Sequence, residues 1–225
     1  MINMKKMTLP LVAAAVLGLG SLSAAQAATQ ARLQVRGIIE PPACNVALEG
    51  GSVLNWGDID ATSLHANRAT QLESKSVNLK VACEASALVL VKPADIAELA
   101  GQVSIDGKND ASYFSLGTTS EGKMIGAWTL SAEAKNAHAD DKQAVMLLES
   151  DTGGSSWTAS SQEIQWKASG NSLYGLALDG EALPAATKEL TMGLSATPYI
   201  ASINDLGNAD DITLSGMATF DVVYL

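Results

Sequence analysis

Cysteine and histidine have the most versatile side-chain chemistry in this chain, and each occurs only twice. Cys44 and Cys83 are the cysteines, and His65 and His138 are the histidines. A nucleophilic cysteine needs a partnered base. Two histidines that stand 73 residues apart do not have the spacing of a zinc motif such as HExxH. We therefore expect neither histidine to bind a metal or to catalyse a reaction.

Two further fragments resemble functional motifs without completing them. Residues 170–175 (GNSLYG) contain one residue too many for the GxSxG nucleophile elbow. Residues 204–211 supply the oxygen ligands that calcium prefers, yet they lack the EF-hand spacing and its closing glutamate. We expect a turn before a strand at the first fragment and a solvated loop at the second. The sequence thus predicts no enzyme activity, no cofactor and no metal.

Residues 1–27 have the pattern of a secretory signal peptide. Two lysines precede an apolar run from Leu9 to Gly20, and Ala25-Gln26-Ala27 has the small-x-small form of a cleavage site. The run is much shorter than the roughly 20 residues that a helix needs to cross a bilayer. The sequence therefore predicts an exported protein, in the periplasm during transit and then at the cell surface.

Export also sets the expectations for charge and for the cysteines. Removal of the two lysines changes the net charge from -10 to -12 (-10 - 2), and the other basic residues are scattered, which argues against nucleic-acid binding. Thiols oxidise in the periplasm, so we expect a disulfide between Cys44 and Cys83. Residues 28–225 contain no linker rich in Pro, Gly or Ser, which favours a single domain.

Period-two alternation of apolar residues indicates that this domain is all-β. It is clear in residues 77–83, 190–196 and 212–225. In the last stretch, one face carries Ile212, Leu214, Gly216, Ala218, Phe220, Val222 and Tyr224. Further strands are predicted at 33–39, 51–56, 87–91, 102–105, 125–132, 144–149, 163–167 and 172–178, and a short helix is predicted at 93–101. Uneven strands and long loops favour a β-sandwich over a closed barrel.

Three features resemble the pilin subunits of chaperone-usher fimbriae, in their usual order. Residues 33–37 (LQVRG) ahead of Cys44 are similar to the pilin opening strand, and the alternating strand that ends at Cys83 is similar to the strand of the second half-cystine. Residues 216–225 (GMATFDVVYL) resemble the pilin C-terminal motif with its penultimate tyrosine. The chain also resembles a group of fimbrial-like secreted proteins of Gram-negative bacteria, a domain of unknown function, at 41–44, 55–59, 122–128 and 196–200.

The resemblance implies an immunoglobulin-like, pilin-type β-sandwich that lacks one strand, with one disulfide and long loops. A periplasmic pilus chaperone, and later the N-terminal extension of another fimbrial subunit, would supply the missing strand, and an outer-membrane usher would assemble the fibre. It implies that one face of the last strand lines the groove for that strand, namely Gly216, Ala218, Phe220, Val222 and Tyr224. A role in surface adhesion follows from the same resemblance.

The N-terminus departs from the pilin pattern. Cleavage after Ala27 leaves only residues 28–32 ahead of the strand predicted to begin at Leu33, and five residues are too few to fill such a groove. The protein would then accept a strand without donating one, as a tip-located or accessory subunit does. Alternatively, Leu33, Val35 and Gly37 belong to the donor segment itself. The chain is also longer than a typical pilin, with the excess at about 118–172.

A self-contained periplasmic or extracellular binding module of the lectin type is the alternative function. In this alternative the last strand completes an ordinary sandwich core, and the protein is a stable monomer without a chaperone. Trp128, Trp157 and Trp166 would then be candidates for stacking on the sugar rings of a host glycan, provided that they are exposed.

Overall fold

The computed structural model describes residues 33–38, 40, 42–144, 146–178, 180, 182–207 and 211–225. The predicted signal peptide lies outside these residues. Residues 1–39 and 40–225 form separate units, and every strand belongs to the second. The strands are β1 (Cys44–Glu49), β2 (Thr70–Gln71), β3 (Lys75–Ala87), β4 (Val89–Asp95), β5 (Ser104–Ile105), β6 (Lys108–Asn109), β7 (Phe114–Ser115), β8 (Gly126–Ala139), β9 (Lys142–Gln143), β10 (Met146–Ser150), β11 (Thr158–Ser160), β12 (Glu163–Gln165), β13 (Leu173–Ala177), β14 (Thr187–Ile200) and β15 (Ala218–Tyr224). One 3-10 turn (Ala61–Ser63) and one short helix, α1 (Ile203–Leu206), accompany them.

Two antiparallel sheets form a sandwich, which confirms the all-β prediction. The large sheet has the order β1-β3-β14-β8-β12, with β2, β7 and β9 at its margins. The small sheet has the order β11-β10-β13-β4-β15, and β5 pairs with β6 in a separate hairpin. The edges therefore include β1 in the large sheet and β15 in the small one.

The core lies between the sheets because alternate residues of each long strand point inward. Leu190, Met192 and Leu194 on β14 are buried, whereas the residues between them are half-buried. The small sheet contributes Tyr174, on which the buried Trp166 stacks with 4.6 Å between ring centroids and 12° between ring planes. One main apolar cluster thus spans both sheets.

The disulfide predicted between Cys44 and Cys83 is present. The two residues stand directly opposite each other in the antiparallel register of β1 and β3, with 4.0 Å between their Cα atoms. The bridge closes a sequence separation of 39 residues. It ties the first residue of β1 to the neighbouring strand, and the Glu84 amide adds a hydrogen bond to the Ala43 carbonyl (3.0 Å).

Two strands predicted near the N-terminus are wrong. Residues 33–38 are in no strand, and Leu33 and Val35 are 92% and 87% exposed. The first strand begins only at Cys44. Pro42, just ahead of it, has no amide hydrogen for a ladder bond, which opposes an earlier start. Residues 51–56 are also outside any strand, because Gly50 and Gly51 adopt φ angles of 92° and 113° and turn the chain away from β3.

Two further corrections concern β4 and β15. The helix predicted at 93–101 is wrong, because β4 continues to Asp95 and pairs Pro93 with Phe220 of the last strand. Long-range pairing thus overrides the local helix propensity. The last strand is shorter than predicted: β15 begins at Ala218, the residue opposite Asp95, so it starts where its partner ends. Residues 211–217 keep the alternation of half-buried and exposed side chains only as far as Ser215.

Candidate strand-binding groove

An apolar groove opens between the edges of β1 and β15. Each is an edge strand, since β1 pairs with β3 and β15 pairs with β4, and neither has a second strand neighbour among the described residues. A cavity of about 1150 Å³ extends from this gap, and a second cavity of about 370 Å³ lies beside β1. The two sheets are therefore not closed over their common core on this side.

The floor of the groove consists of inward-facing side chains of the large sheet. Val77 on β3, Leu130 on β8 and Ala196 on β14 line the large cavity, and Leu48 of β1 lines both cavities. Leu48 and Val77 are only half-buried, although both pack against the main core, whereas Leu79 on the same face of β3 is fully buried. The core is thus incompletely covered at the β1 edge.

The C-terminal residues predicted to line the groove divide into two groups. Gly216, Ala218 and Phe220 line the large cavity, and Phe220 also lines the small one. Val222 packs against the main core, and neither it nor Tyr224 is among the residues that line the two cavities. That a partner strand binds along all five residues remains a prediction.

Tyr224 closes one end of the gap. Its hydroxyl oxygen accepts a hydrogen bond from the backbone amide of Cys44 at 3.1 Å. The start of β1 and the end of β15 are therefore joined beside the disulfide. From this closed end the gap leads past Val46 and Phe220 into the large cavity.

Gly216 is where the C-terminal segment passes closest to Trp128. A β-carbon at this glycine would lie 2.8 Å from the indole nitrogen of Trp128 and 3.1 Å from the Ser115 carbonyl oxygen. The same indole nitrogen donates a hydrogen bond to the Ser115 carbonyl at 3.1 Å, and the Trp128 ring packs on Phe114 with 4.6 Å between ring centroids. A glycine is therefore required by close packing, whereas the sequence indicated it only through a motif.

Residues 51–57, which we call the strap, line the large cavity together with the C-terminal segment. Only Gly50 separates them from the end of β1. The indole nitrogen of Trp56 donates to the Glu73 carbonyl at 2.8 Å, and the Lys75 ammonium donates to the Asn55 carbonyl at 2.7 Å. Alternation in the sequence indicated an extended segment here, but nothing in the sequence indicated that it leaves the sheet.

Asp95 fixes the turn that ends β4 beside the groove. Its carboxylate accepts hydrogen bonds from the amides of Ser115 (2.7 Å) and Ala97 (3.0 Å). Burial raises the pKa of this carboxyl group, and the two amide bonds oppose that increase only in part. The backbone of Asp95 also pairs with Ala218, the first residue of β15.

The N-terminal segment with the donor residues is exposed. Leu33, Val35 and Ile38 are 92%, 87% and 86% exposed, and a β-carbon at Gly37 would meet no atom within 4 Å. Alternate apolar side chains on an extended segment are what a strand needs to insert into a groove. Whether this segment is a donor stays a prediction.

Two of the three tryptophans proposed for sugar stacking are poorly placed for it. Trp166 is 1% exposed and packs between Tyr174 and Phe220, so that part of the lectin hypothesis is wrong. Trp128 is half-buried, with its indole nitrogen already bonded to Ser115. Trp157 is half-buried just before β11 and remains the one candidate of the three.

The histidines and acidic residues of the described chain form no metal-binding group. No cluster of three or more His, Cys, Asp or Glu side chains with suitable geometry occurs in the described ranges. The His65 ring nitrogen contacts the Arg68 guanidinium at 3.0 Å, and His138 lies on β8 opposite Thr191 of β14. Among the residues with coordinates, no helix is long and apolar enough to cross a membrane.

Residues 33–113 match the model of a family described as "Protein of unknown function (DUF1120)". The match begins at the exposed N-terminal segment and includes β1, the strap and both cysteines. The chain is also similar to two proteins of Escherichia coli. It is 26% identical to "Uncharacterized protein YhcF" over 227 residues (89% of this chain and 93% of that protein). It is 27% identical to "Protein GltF" over 247 residues (94% and 95%). The chain is thus similar to these relatives over nearly its whole length, and residues 33–113 match the model of a domain of unknown function.

Proposed function

We propose that this protein is a fimbrial-type structural or accessory subunit, assembled by donor-strand complementation through a periplasmic chaperone and an outer-membrane usher, with a role in surface adhesion. The observation that carries the proposal is the apolar groove between the free edges of β1 and β15. A strand inserted there would bond to both edges and cover Leu48, Val77 and Phe220. Apolar grooves of this size are rarely left open on soluble monomers.

The position of β1 supports a donor role as well as an acceptor role. With cleavage after Ala27, 16 residues (28–43) precede the first strand, whereas a first strand at Leu33 leaves only five. The segment 33–39 has seven residues, as many as β15, and spans about 23 Å when extended. Leu33, Val35 and Gly37 would face the groove of a neighbouring subunit.

The proposed partners follow from the groove. A pilus chaperone would cover it in the periplasm by lending a strand that pairs with β15. The usher would then exchange that strand for the extension of another fimbrial subunit. A host glycan or surface would be the target of adhesion.

Assembly of the mature chain tests the proposal. We expect the refolded wild-type chain to form a series of oligomers in size-exclusion chromatography with light scattering. Leu33→Asp together with Val35→Asp should leave monomers, because a charged side chain in an apolar groove is unfavourable. Gln34→Asp together with Arg36→Asp is the matched control on the opposite side of the same segment, and it should still assemble.

Two outcomes would contradict the proposal. One is a wild-type chain that stays a soluble, cooperatively folding monomer without chaperone or added peptide. The other is a double variant at Leu33 and Val35 that assembles like wild type and gains nothing in periplasmic yield from a co-expressed pilus chaperone, with no one-to-one complex formed.

A further inference from the structure

We propose that the strap is the second half of the strand-binding site: it closes onto a donated strand and becomes its hydrogen-bonding partner. Strap and β1 would then form one continuous edge from Cys44 to Gly57. This inference rests on the proposed function and adds to it, because it extends the site well beyond the two existing edge strands.

The first observation is the unused hydrogen-bonding capacity of the strap backbone. No described residue accepts a hydrogen bond from the amides of residues 52–56. The β1–β3 ladder ends at the pair Glu49 and Asn78. Amide groups in this state are what an added strand bonds when it joins a sheet edge.

The second observation is that the strap side chains already alternate as in a strand. Leu54 and Trp56 are half-buried and pack against the main core, whereas Val53 (79% exposed) and Asn55, which alternate with them, are exposed. The Lys75 ammonium lies 5.7 Å from the centre of the Trp56 ring, and Trp56 is bonded to Glu73. Only a small movement of the backbone is needed, since the inner face is in place.

The third observation is that glycines bound the strap. Gly50, Gly51 and Gly57 have φ angles of 92°, 113° and 67°, and β-carbons there would meet nothing within 4 Å. Such positions change conformation at little steric cost. The strap is therefore an extended segment with a hinge at each end.

The fourth observation is the position of the strap along the cavity. Its residues line the same large cavity as Gly216 and Ala218, and Ser52 also lines the small cavity beside β1. A strand that enters between β1 and β15 and continues into the large cavity passes beside the strap. An extended chain segment with alternating apolar residues, here residues 33–39 of a second copy, is the partner that fits.

Hydrogen exchange tests the inference. The mature chain with Leu33→Asp and Val35→Asp, which disables its own donor segment, would be mixed with an excess of a synthetic peptide of residues 28–40. We expect alternate amides of residues 52–56 to exchange about 100-fold more slowly in the complex, since every second amide of a strand faces a given neighbour. The same peptide carrying Leu33→Asp and Val35→Asp is the control, and it should slow none of them.

A pair of matched substitutions adds a second readout. Trp56→Phe keeps an aromatic ring but removes the hydrogen bond to Glu73, so it should weaken peptide binding about fivefold, the effect of one net hydrogen bond. Trp157→Phe makes the same change outside the groove and should leave the affinity unchanged.

The possible outcomes distinguish a failure of the role proposed for the strap from a failure of the proposed function. Peptide binding that protects β15 amides but leaves residues 52–56 exchanging as before would overturn the role of the strap and leave the proposed function standing. Equal peptide affinities for wild type and Trp56→Phe would also count against the strap. No binding of the peptide to any variant would refute both proposals.

Discussion

At the scale of single residues, Gly216 shows how a position in the C-terminal motif acquires a physical meaning. The sequence placed it on the groove-facing side of a strand, but the residue lies just outside β15. It is held between the groove and the Trp128 ring, where no side chain fits without displacing the ring or the Ser115 carbonyl. The glycine of the C-terminal motif is therefore required by close packing and not by strand conformation.

Gly216→Ala should lower the free energy of unfolding by about 1–3 kcal/mol, because the new methyl group would overlap the Trp128 indole and a backbone carbonyl. Urea unfolding would measure it. Gly37→Ala, where a β-carbon meets no atom within 4 Å, is the matched control and should be neutral. Equal urea midpoints for the two variants would contradict the packing described for Gly216.

Asp140 is a second residue whose role is local. One carboxylate oxygen accepts hydrogen bonds from the Thr187 hydroxyl and the amides of Lys188 and Glu189, each at 2.9 Å, and so fixes the start of β14 to the turn after β8. These bonds, the one from the Glu189 amide first, lower the pKa of the Asp140 carboxyl group. A lowered pKa in the folded state means that ionisation stabilises the fold.

Asp140→Asn should therefore cost stability at pH 6 and progressively less as the pH is lowered through the acidic range. The contribution is fully present above the unfolded pKa of about 3.9 and is lost as the pH falls through the lower folded pKa. Because the group is exposed, we expect at most about 1 kcal/mol. Unfolding by urea across this pH range is the measurement. Asp141→Asn, the adjacent carboxylate, is the control, and a pH-independent difference would be evidence against the assigned role.

At the scale of elements, alternation predicted the centres of two long strands and failed at the edge segments. Strands β3 and β14 have neighbours on both sides, and their centres contain the alternating stretches 77–83 and 190–196. Strand β8 continues to Ala139, well beyond the strand predicted at 125–132. The segments 33–38 and 51–56 have similar patterns, yet neither is in a sheet. A period of two indicates which side chains share a face, but only a partner strand makes the segment a strand.

The candidate site, too, could be predicted from the sequence only in part. Ala218, Phe220 and Val222 could be placed on one face from the sequence, because their alternation is local. The length of β15 could not be predicted from the sequence. The strand begins opposite Asp95, the last residue of β4, which lies more than 120 residues earlier in the chain. The prediction of a helix at 93–101 failed for the same reason, because pairing with β15 outweighs the helix propensity of Ala94.

The disulfide acts at this scale too, through β1. Cys44→Ser together with Cys83→Ser should lower the free energy of unfolding by about 4 kcal/mol in the chain-entropy model for a loop of this length. The yield of folded protein from the periplasm, together with a urea midpoint where the variant folds, would measure the loss. Wild-type protein kept reduced should behave like the double variant, and unchanged stability in both would show that the bridge contributes little.

At the scale of the whole molecule, the described part of the sandwich leaves its core partly uncovered along the side of β1 and β15. The main core is well covered in the middle of both sheets, where Leu79, Val91 and Leu194 are fully buried. The core is less completely covered near β1 and β15, where Val46, Leu48 and Phe220 are half-buried. Stability gained on binding a strand is therefore expected to be large, because the donor would cover side chains that already belong to the core.

The covalent bridge at the first residue of β1 has a mechanical consequence. In a fibre built as proposed, tension on the extension of one subunit would reach its folded domain at Cys44. Without the bridge, β1 could be peeled from β3 one hydrogen bond after another, starting at this residue. With Cys44 joined to Cys83, the load passes directly to β3, a strand held on both sides by β1 and β14, so that many ladder bonds must fail together.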